Sequence, residues 1–185
     1  FMSLLNMSKL SECINEKRIH KPGLILDAVR TELIKVLNAG DSAQNENNEV
    51  KDGMDAVLIR FDPETLVLQY AAENNPFYIV RNGQMTVCPC DKMPVGKSPL
   101  ENQNFNNYSI ELKKGDVIYL MTDGFADQFG GPKGKKFKYK PLQDLLSTIA
   151  PLSGKEQCKI LNNTLVDWKG SLEQVDDVLI IGLKV

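Results

Sequence analysis

Two acidic junctions stand out for the chemistry they could support. Val117-Ile118-Tyr119-Leu120-Met121-Thr122 runs into Asp123-Gly124-Phe125-Ala126-Asp127, and near the C-terminus Asp176-Asp177 leads into Val178-Leu179-Ile180-Ile181-Gly182-Leu183. Both apolar runs have strand composition, so the first delivers a carboxylate at its end and the second begins with two. Side by side and antiparallel, the strands would bring Asp123 to the same sheet edge as Asp176 and Asp177. Parallel, they would hold the carboxylates about 20 Å apart, at roughly 3.3 Å per residue. Gathered carboxylates repel, and burying them is costly unless they are neutralised, for which a hard divalent cation is the usual remedy. The plain alternatives are an ordinary turn at Asp123-Gly124 and a solvated strand start at Asp176-Asp177.

The elements that would position these residues follow from periodicity. Helical spacing over Met2 to Glu16 and again over Leu24 to Asn38 predicts two amphipathic helices, separated by Lys21-Pro22-Gly23. Ala39 to Lys51 is polar and reads as an exposed loop. From Asp52 the period becomes that of strands. Met54 to Phe61 and Leu66 to Ala72 flank Asp62-Pro63-Glu64-Thr65, and Pro76 to Val80 and Met85 to Val87 flank Arg81-Asn82-Gly83-Gln84, whose Asn-Gly is a strong hairpin signal. Pro89 to Asn106 reads as a long surface connection, and Tyr108 to Leu112 with Val117 to Thr122 as a third hairpin about Lys113-Lys114-Gly115-Asp116. Successive hairpins imply antiparallel pairing. Helices are expected over Pro141 to Ile149 and Gly154 to Trp168, before the last strand. Helices at both ends of a run of hairpins predict an α+β fold.

At 185 residues and 42% apolar, the chain can bury one substantial core, and a single domain is expected. A formal charge of -2 with intermixed signs argues against nucleic acid or an anionic membrane as partner. No apolar run has the roughly 20 residues of a membrane helix, and there is no signal peptide pattern, so no membrane insertion and a cytoplasmic location are expected. The chain opens at Phe1 directly in helical pattern, which suggests a longer polypeptide. Cys13, Cys88, Cys90 and Cys158 lack the paired spacing of a zinc site and read as reduced, structural thiols. The single histidine, His20, reads as a surface or cap residue.

Gln128 to Lys140 is rich in glycine and lysine, a local basic stretch. It fails as a phosphate loop, because Lys136 follows Gly134-Lys135 where serine or threonine is needed. A solvated flap is one reading; a flap guiding a phosphorylated substrate toward Asp123 is the other. Nucleic-acid binding through Lys133 to Lys140 is disfavoured, with only Phe137 and Tyr139 interleaved.

Taken together, Phe1-Met2-Ser3, Asp52-Gly53-Met54-Asp55, Tyr70-Ala71-Ala72-Glu73-Asn74-Asn75-Pro76, Asp91-Lys92-Met93-Pro94-Val95-Gly96, Thr122-Asp123-Gly124-Phe125-Ala126-Asp127 and Val175-Asp176-Asp177-Val178 resemble the SpoIIE-like branch of the metal-dependent type-2C serine/threonine phosphatases. The likeness runs over essentially the whole chain. It implies two facing antiparallel sheets flanked by helices, and a centre of two manganese or magnesium ions. It implies Asp123 and Asp176 as the catalytic metal ligands, Asp177 beside the centre, and Asp127 near a third, weaker metal. The implied substrates are phosphoserine and phosphothreonine proteins, often antagonists of anti-sigma factors, hydrolysed by metal-activated water; no triad is then required. Two departures matter. The family's Asp-x-x-Gly-His-Gly run, whose aspartate bridges both metals, is not among these residues, and its strands are expected upstream of Phe1. Leu179 replaces the threonine or serine usual after the paired aspartates. Low or no activity is therefore expected of these residues alone. The rival reading is a non-catalytic regulatory or homodimerising module with a phosphatase fold.

Overall fold

The computed structural model describes residues 2–40, 53–100 and 102–185. In chain order the elements are α1 (Met2–Asn15), α2 (Pro22–Gly40), β1 (Gly53–Met54), β2 (Ala56–Asp62), β3 (Val67–Glu73), β4 (Tyr78–Arg81), β5 (Gln84–Val87), β6 (Val95–Gly96), β7 (Tyr108–Glu111), β8 (Val117–Met121), α3 (Gly124–Asp127), β9 (Phe129–Gly130), β10 (Lys135–Lys136), α4 (Tyr139–Ile149), α5 (Gly154–Lys169) and β11 (Ile180–Lys184). The class is α+β, as expected, and every strand pairing is antiparallel among the described residues. The loop expected over 39–51 lies, from residue 41 on, outside the described residues, while Ala39 and Gly40 finish α2. No helix among the described residues is long and apolar enough to cross a membrane. Contacts divide the chain into two units, residues 1–76 with 89–111 and residues 77–88 with 112–185.

In the first unit β2, β3 and β7 form one sheet, registered from Ala56↔Glu73 to Asp62↔Val67 and from Val67↔Glu111 to Tyr70↔Tyr108. The β2–β3 turn closes because the Asp62 carboxylate accepts the backbone N–H groups of Glu64 and Thr65 at 2.9 and 3.2 Å. The apolar stripe of α2 (Ile25, Leu26, Val29, Leu33) is buried with Cys13, Ala71, Met93, Val95 and Phe105. This corrects the reading of 89–106 as a surface connection. Met93, Val95 and Phe105 are core, and β6 pairs with β1. Arg30 ties that segment to α2, its guanidinium 4.5 Å from the Phe105 ring centre and donating to Gln103 O at 2.6 Å.

In the second unit the sheet order is β11-β8-β4-β5. The β4–β5 hairpin turns on Asn82 and Gly83, both at positive φ (51° and 75°), as a two-residue hairpin loop demands. Helix α4 buries Leu142, Leu146 and Ile149 among Tyr78, Val80, Val117, Tyr119, Met121 and Phe125, each such side chain stabilising by about 1.5–3 kcal/mol. A capping box between Ser153 and Glu156 starts α5. The expected β7–β8 hairpin is not formed: β7 pairs with β3, and β8 sits between β4 and β11. The turn at Lys113–Asp116 is there, but its buried Asp116 carboxylate holds Arg81 through two bonds (2.9 and 2.7 Å) and the Lys113 N–H at 2.8 Å, which aligns β8 with β4. All four cysteines are free, and burial pushes the Cys88 thiol up to about 12, an inert core group.

Candidate functional site

Strand β8 is buried along nearly its whole length, and its C-terminal end is where the chain must turn without losing contact with its neighbour β11. The two pair antiparallel from Val117↔Lys184 to Met121↔Ile180. Beyond Met121 the pairing continues through a side chain: Thr122 N–H donates to Leu179 O at 3.0 Å, the Thr122 hydroxyl donates to Asp177 O at 2.8 Å, and it accepts from Leu179 N–H at 2.9 Å. Gly124 then packs on the backbone of Asp177 so closely that a Cβ there would lie within van der Waals contact of the Asp177 carbonyl oxygen, which is why this position takes glycine. Asp123 stands between these two contacts. The end of β8 and the start of β11 therefore share one edge, and Asp123, Asp176 and Asp177 are all exposed there.

At Asp123-Gly124 the chain enters a helical turn rather than a simple reversal, with Asp123 as the N-cap of α3 and Gly124 its first residue. Its side chain makes no capping bond, so the carboxylate is not consumed by its own backbone. Asp176 accepts the Asp177 N–H through Oδ1 at 2.6 Å, and Gln174 Nε2 donates to Asp176 O at 2.8 Å. Asp127, at the end of α3, is already paired: Lys136 Nζ lies 2.8 Å from Oδ2.

Two residues outside the sequence-derived set position this edge. Thr122 is one. Gln128, fully buried, is the other: its Nε2 donates to Glu173 O at 2.9 Å and to Phe129 O at 3.0 Å, and its Oε1 accepts from Val175 N–H at 3.4 Å. It thus fixes the segment that leads to Asp176. A glutamine among glycines gives no pattern that would reveal this role.

The stretch after Asp127 is not a formless flap. β9 and β10 pair as Lys135↔Gly130 and Lys136↔Phe129, Trp168 Nε1 donates to Gln128 O at 3.0 Å, and Gly131 N–H donates to Trp168 O at 2.8 Å. Phe137 lies edge-on between Phe125 and Trp168, with ring centres 5.1 and 5.2 Å away.

Carboxylate oxygens are the donors that magnesium and manganese prefer, so the edge fits such an ion in kind. It falls short in number: among the described residues no three aspartate, glutamate, histidine or cysteine side chains converge on a point where they could hold a metal.

A family model, stage II sporulation protein E, matches residues 8–185. The chain belongs to the SpoIIE family. Its fold is similar to the type-2C phosphatase domain of SiaA from Pseudomonas aeruginosa (TM-score 0.85, 24% identity, all of this chain and 69% of that one). It is also similar to a structure of RsbU and RsbW domains from Mycobacterium tuberculosis (0.72, 18%, covering 99% and 46%). A third is the phosphatase domain of SpoIIE from Bacillus subtilis with a fragment of its regulatory domain (0.68, 16%, covering 99% and 49%). At these identities the likeness is one of fold. Against the last two the chain spans about half the length. Among curated proteins none matches at a significant level.

Proposed function

We propose that this SpoIIE-family domain serves as a protein serine/threonine phosphatase in bacterial signalling, acting on a cytoplasmic phosphoprotein of the anti-sigma factor antagonist type. The observation that carries the reading is the antiparallel register of β8 and β11, which sets Asp123 and Asp176 at one sheet edge. Asp123 and Asp176 would hold manganese or magnesium, with Asp177 adjacent and Asp127 at the margin. Solved relatives include RsbX in complex with magnesium and the Bacillus subtilis SpoIIE phosphatase domain presoaked with manganese. Such ions supply Lewis acidity at the phosphoryl oxygens and acidify a water, so no side-chain nucleophile is required.

The chain's own residues orient and neutralise. Thr122 and Gly124 hold the Asp177 backbone against the end of β8, Gln128 holds the approach to Asp176, and Lys136 offsets the charge of Asp127. With no three acidic groups converging among the described residues, this chain alone should turn over substrate slowly or not at all. The test is manganese-dependent hydrolysis of p-nitrophenyl phosphate by the full-length protein, lost in Asp123→Ala; activity unchanged in that variant rules the site out. Calorimetry separates the rival reading, since a regulatory or homodimerising module would bind no manganese at micromolar concentration.

A further inference from the structure

The thirteen residues Gln128–Lys140 contain five lysines and no acidic residue, in a chain whose net charge is -2. Two of the five are engaged: Lys136 with Asp127, and Lys140 with Asp144 at 2.8 Å. Lys133, Lys135 and Lys138 are exposed and have no ion-pair partner among the described residues. They stand on a hairpin that the Trp168 and Phe137 contacts anchor. It is fastened to α3 by the Lys136–Asp127 pair and by Lys138 N–H donating to Ala126 O at 2.7 Å. Asp123 is the N-cap of the same helix.

Lys138 carries a second sign. Its backbone lies at φ 77°, ψ 157°, a region that glycine alone adopts without strain. Strain of that kind persists where the surroundings enforce it, and here a charged, exposed side chain is displayed from the strained position instead of the glycine that the backbone favours.

We propose that Lys133, Lys135 and Lys138 form the docking surface for the acidic segment of protein that carries the phosphoserine or phosphothreonine. The identity of that ligand rests on the phosphatase reading; the surface itself rests on the hairpin. Positive charge presented on a fixed hairpin beside an edge of aspartates divides the labour. The lysines attract and register an anionic peptide that the carboxylates alone would repel.

The experiment is fluorescence anisotropy on this chain, with no manganese, using a labelled phosphoserine peptide flanked by aspartates. Its unphosphorylated form, a phosphopeptide flanked by lysines and a single-stranded DNA oligonucleotide are run beside it. The aspartate-flanked phosphopeptide should bind best, should weaken as salt is added, and should lose about tenfold or more in affinity in Lys133→Ala/Lys135→Ala/Lys138→Ala. The corresponding triple arginine variant should retain binding. Lys138→Gly should melt at a higher temperature than the parent and yet bind the peptide more weakly, a combination that a merely structural lysine would not give. Unchanged affinity in the triple alanine variant, equal affinity for the lysine-flanked peptide, or tighter binding of DNA would each overturn the proposal. Because binding is read without turnover, peptide binding through these lysines together with no manganese-dependent hydrolysis by the full-length protein sinks the catalytic reading alone. A phosphatase whose triple alanine variant binds normally sinks the docking surface alone.

Discussion

The hydroxyl of Thr122 donates to the carbonyl of Asp177, 55 positions further along the chain, and the same oxygen accepts the N–H of Leu179. One side chain thereby completes a ladder that the two strands no longer complete by themselves. Strand pairing fixes only the residues inside it, and an aspartate one step past a strand end is ordinarily free to wander. Here the residue before Asp123 and the residue after Asp176 are bonded to each other. The acidic edge is thus a consequence of strand register rather than of loop folding.

Thr122→Val keeps the shape and removes the hydroxyl, leaving the Asp177 carbonyl and the Leu179 N–H to water. The expected loss is about 1 to 2 kcal/mol in urea unfolding, with Thr122→Ser close to the parent. In the full-length protein the valine variant should also bind manganese more weakly by calorimetry, since the start of β11 would no longer be pinned.

Gln128 supports the other side of the edge. Gln128→Leu preserves the volume of a fully buried side chain but strips partners from Glu173 O, Phe129 O and Val175 N–H. A cost of about 2 to 3 kcal/mol is expected. Amide exchange should quicken at residues 173–177 and stay slow along β8; a uniform increase over the whole unit would contradict a local role.

What could be read from the residues was whatever chemistry is local. Asp62 capping its own turn and Asn82-Gly83 at positive φ are short-range devices, and both hairpins formed where expected. The antiparallel meeting of β8 with β11 was legible as one of two alternatives, because both strands carry their acidic residues at the ends that antiparallel pairing brings together. The pairing of β7 was not legible. The Lys113–Asp116 turn looks the same whether its flanking strands pair or part, and the decision lies with Arg81, 35 positions away, whose guanidinium claims the Asp116 carboxylate. The burial of Met93, Val95 and Phe105 was hidden by the prolines and polar residues around them. Gln128 was hidden because nothing in a sequence distinguishes a buried glutamine from a solvated one.

Lys138 sits in a backbone region that disfavours any side chain, at a cost of about 1–3 kcal/mol. Lys138→Gly relieves this, while glycine's greater freedom in the unfolded chain takes back up to about 1 kcal/mol. A net gain of about 1 kcal/mol is expected, read as a higher urea midpoint with an unchanged slope. Lys138→Ala, which keeps the strain, should show no such gain.

The pH dependence of stability should trace to Glu73 in the first unit. Glu73 is fully buried at the end of β3; its Oε2 accepts the Ala56 N–H at 3.1 Å, and its Oε1 has no partner among the described residues. Burial, and then the nearby negative charge of Asp55, push its carboxyl from 4.5 up to about 8, against the opposing pull of the Ala56 and Val95 N–H groups. The folded state therefore prefers the protonated acid. Its stabilising contribution is fully present below the unfolded value near 4.5 and is lost progressively as pH rises toward 8. Glu73→Gln keeps a neutral group of the same size at every pH. The stability difference between variant and parent should be small at pH 4 and grow in favour of glutamine by about 1.4 kcal/mol per pH unit across that window. It should level off once the buried acid has ionised. Parallel stability curves for the two proteins between pH 5 and 8 would show instead that Glu73 is ionised throughout, with a compensating cation or bound water at Oε1.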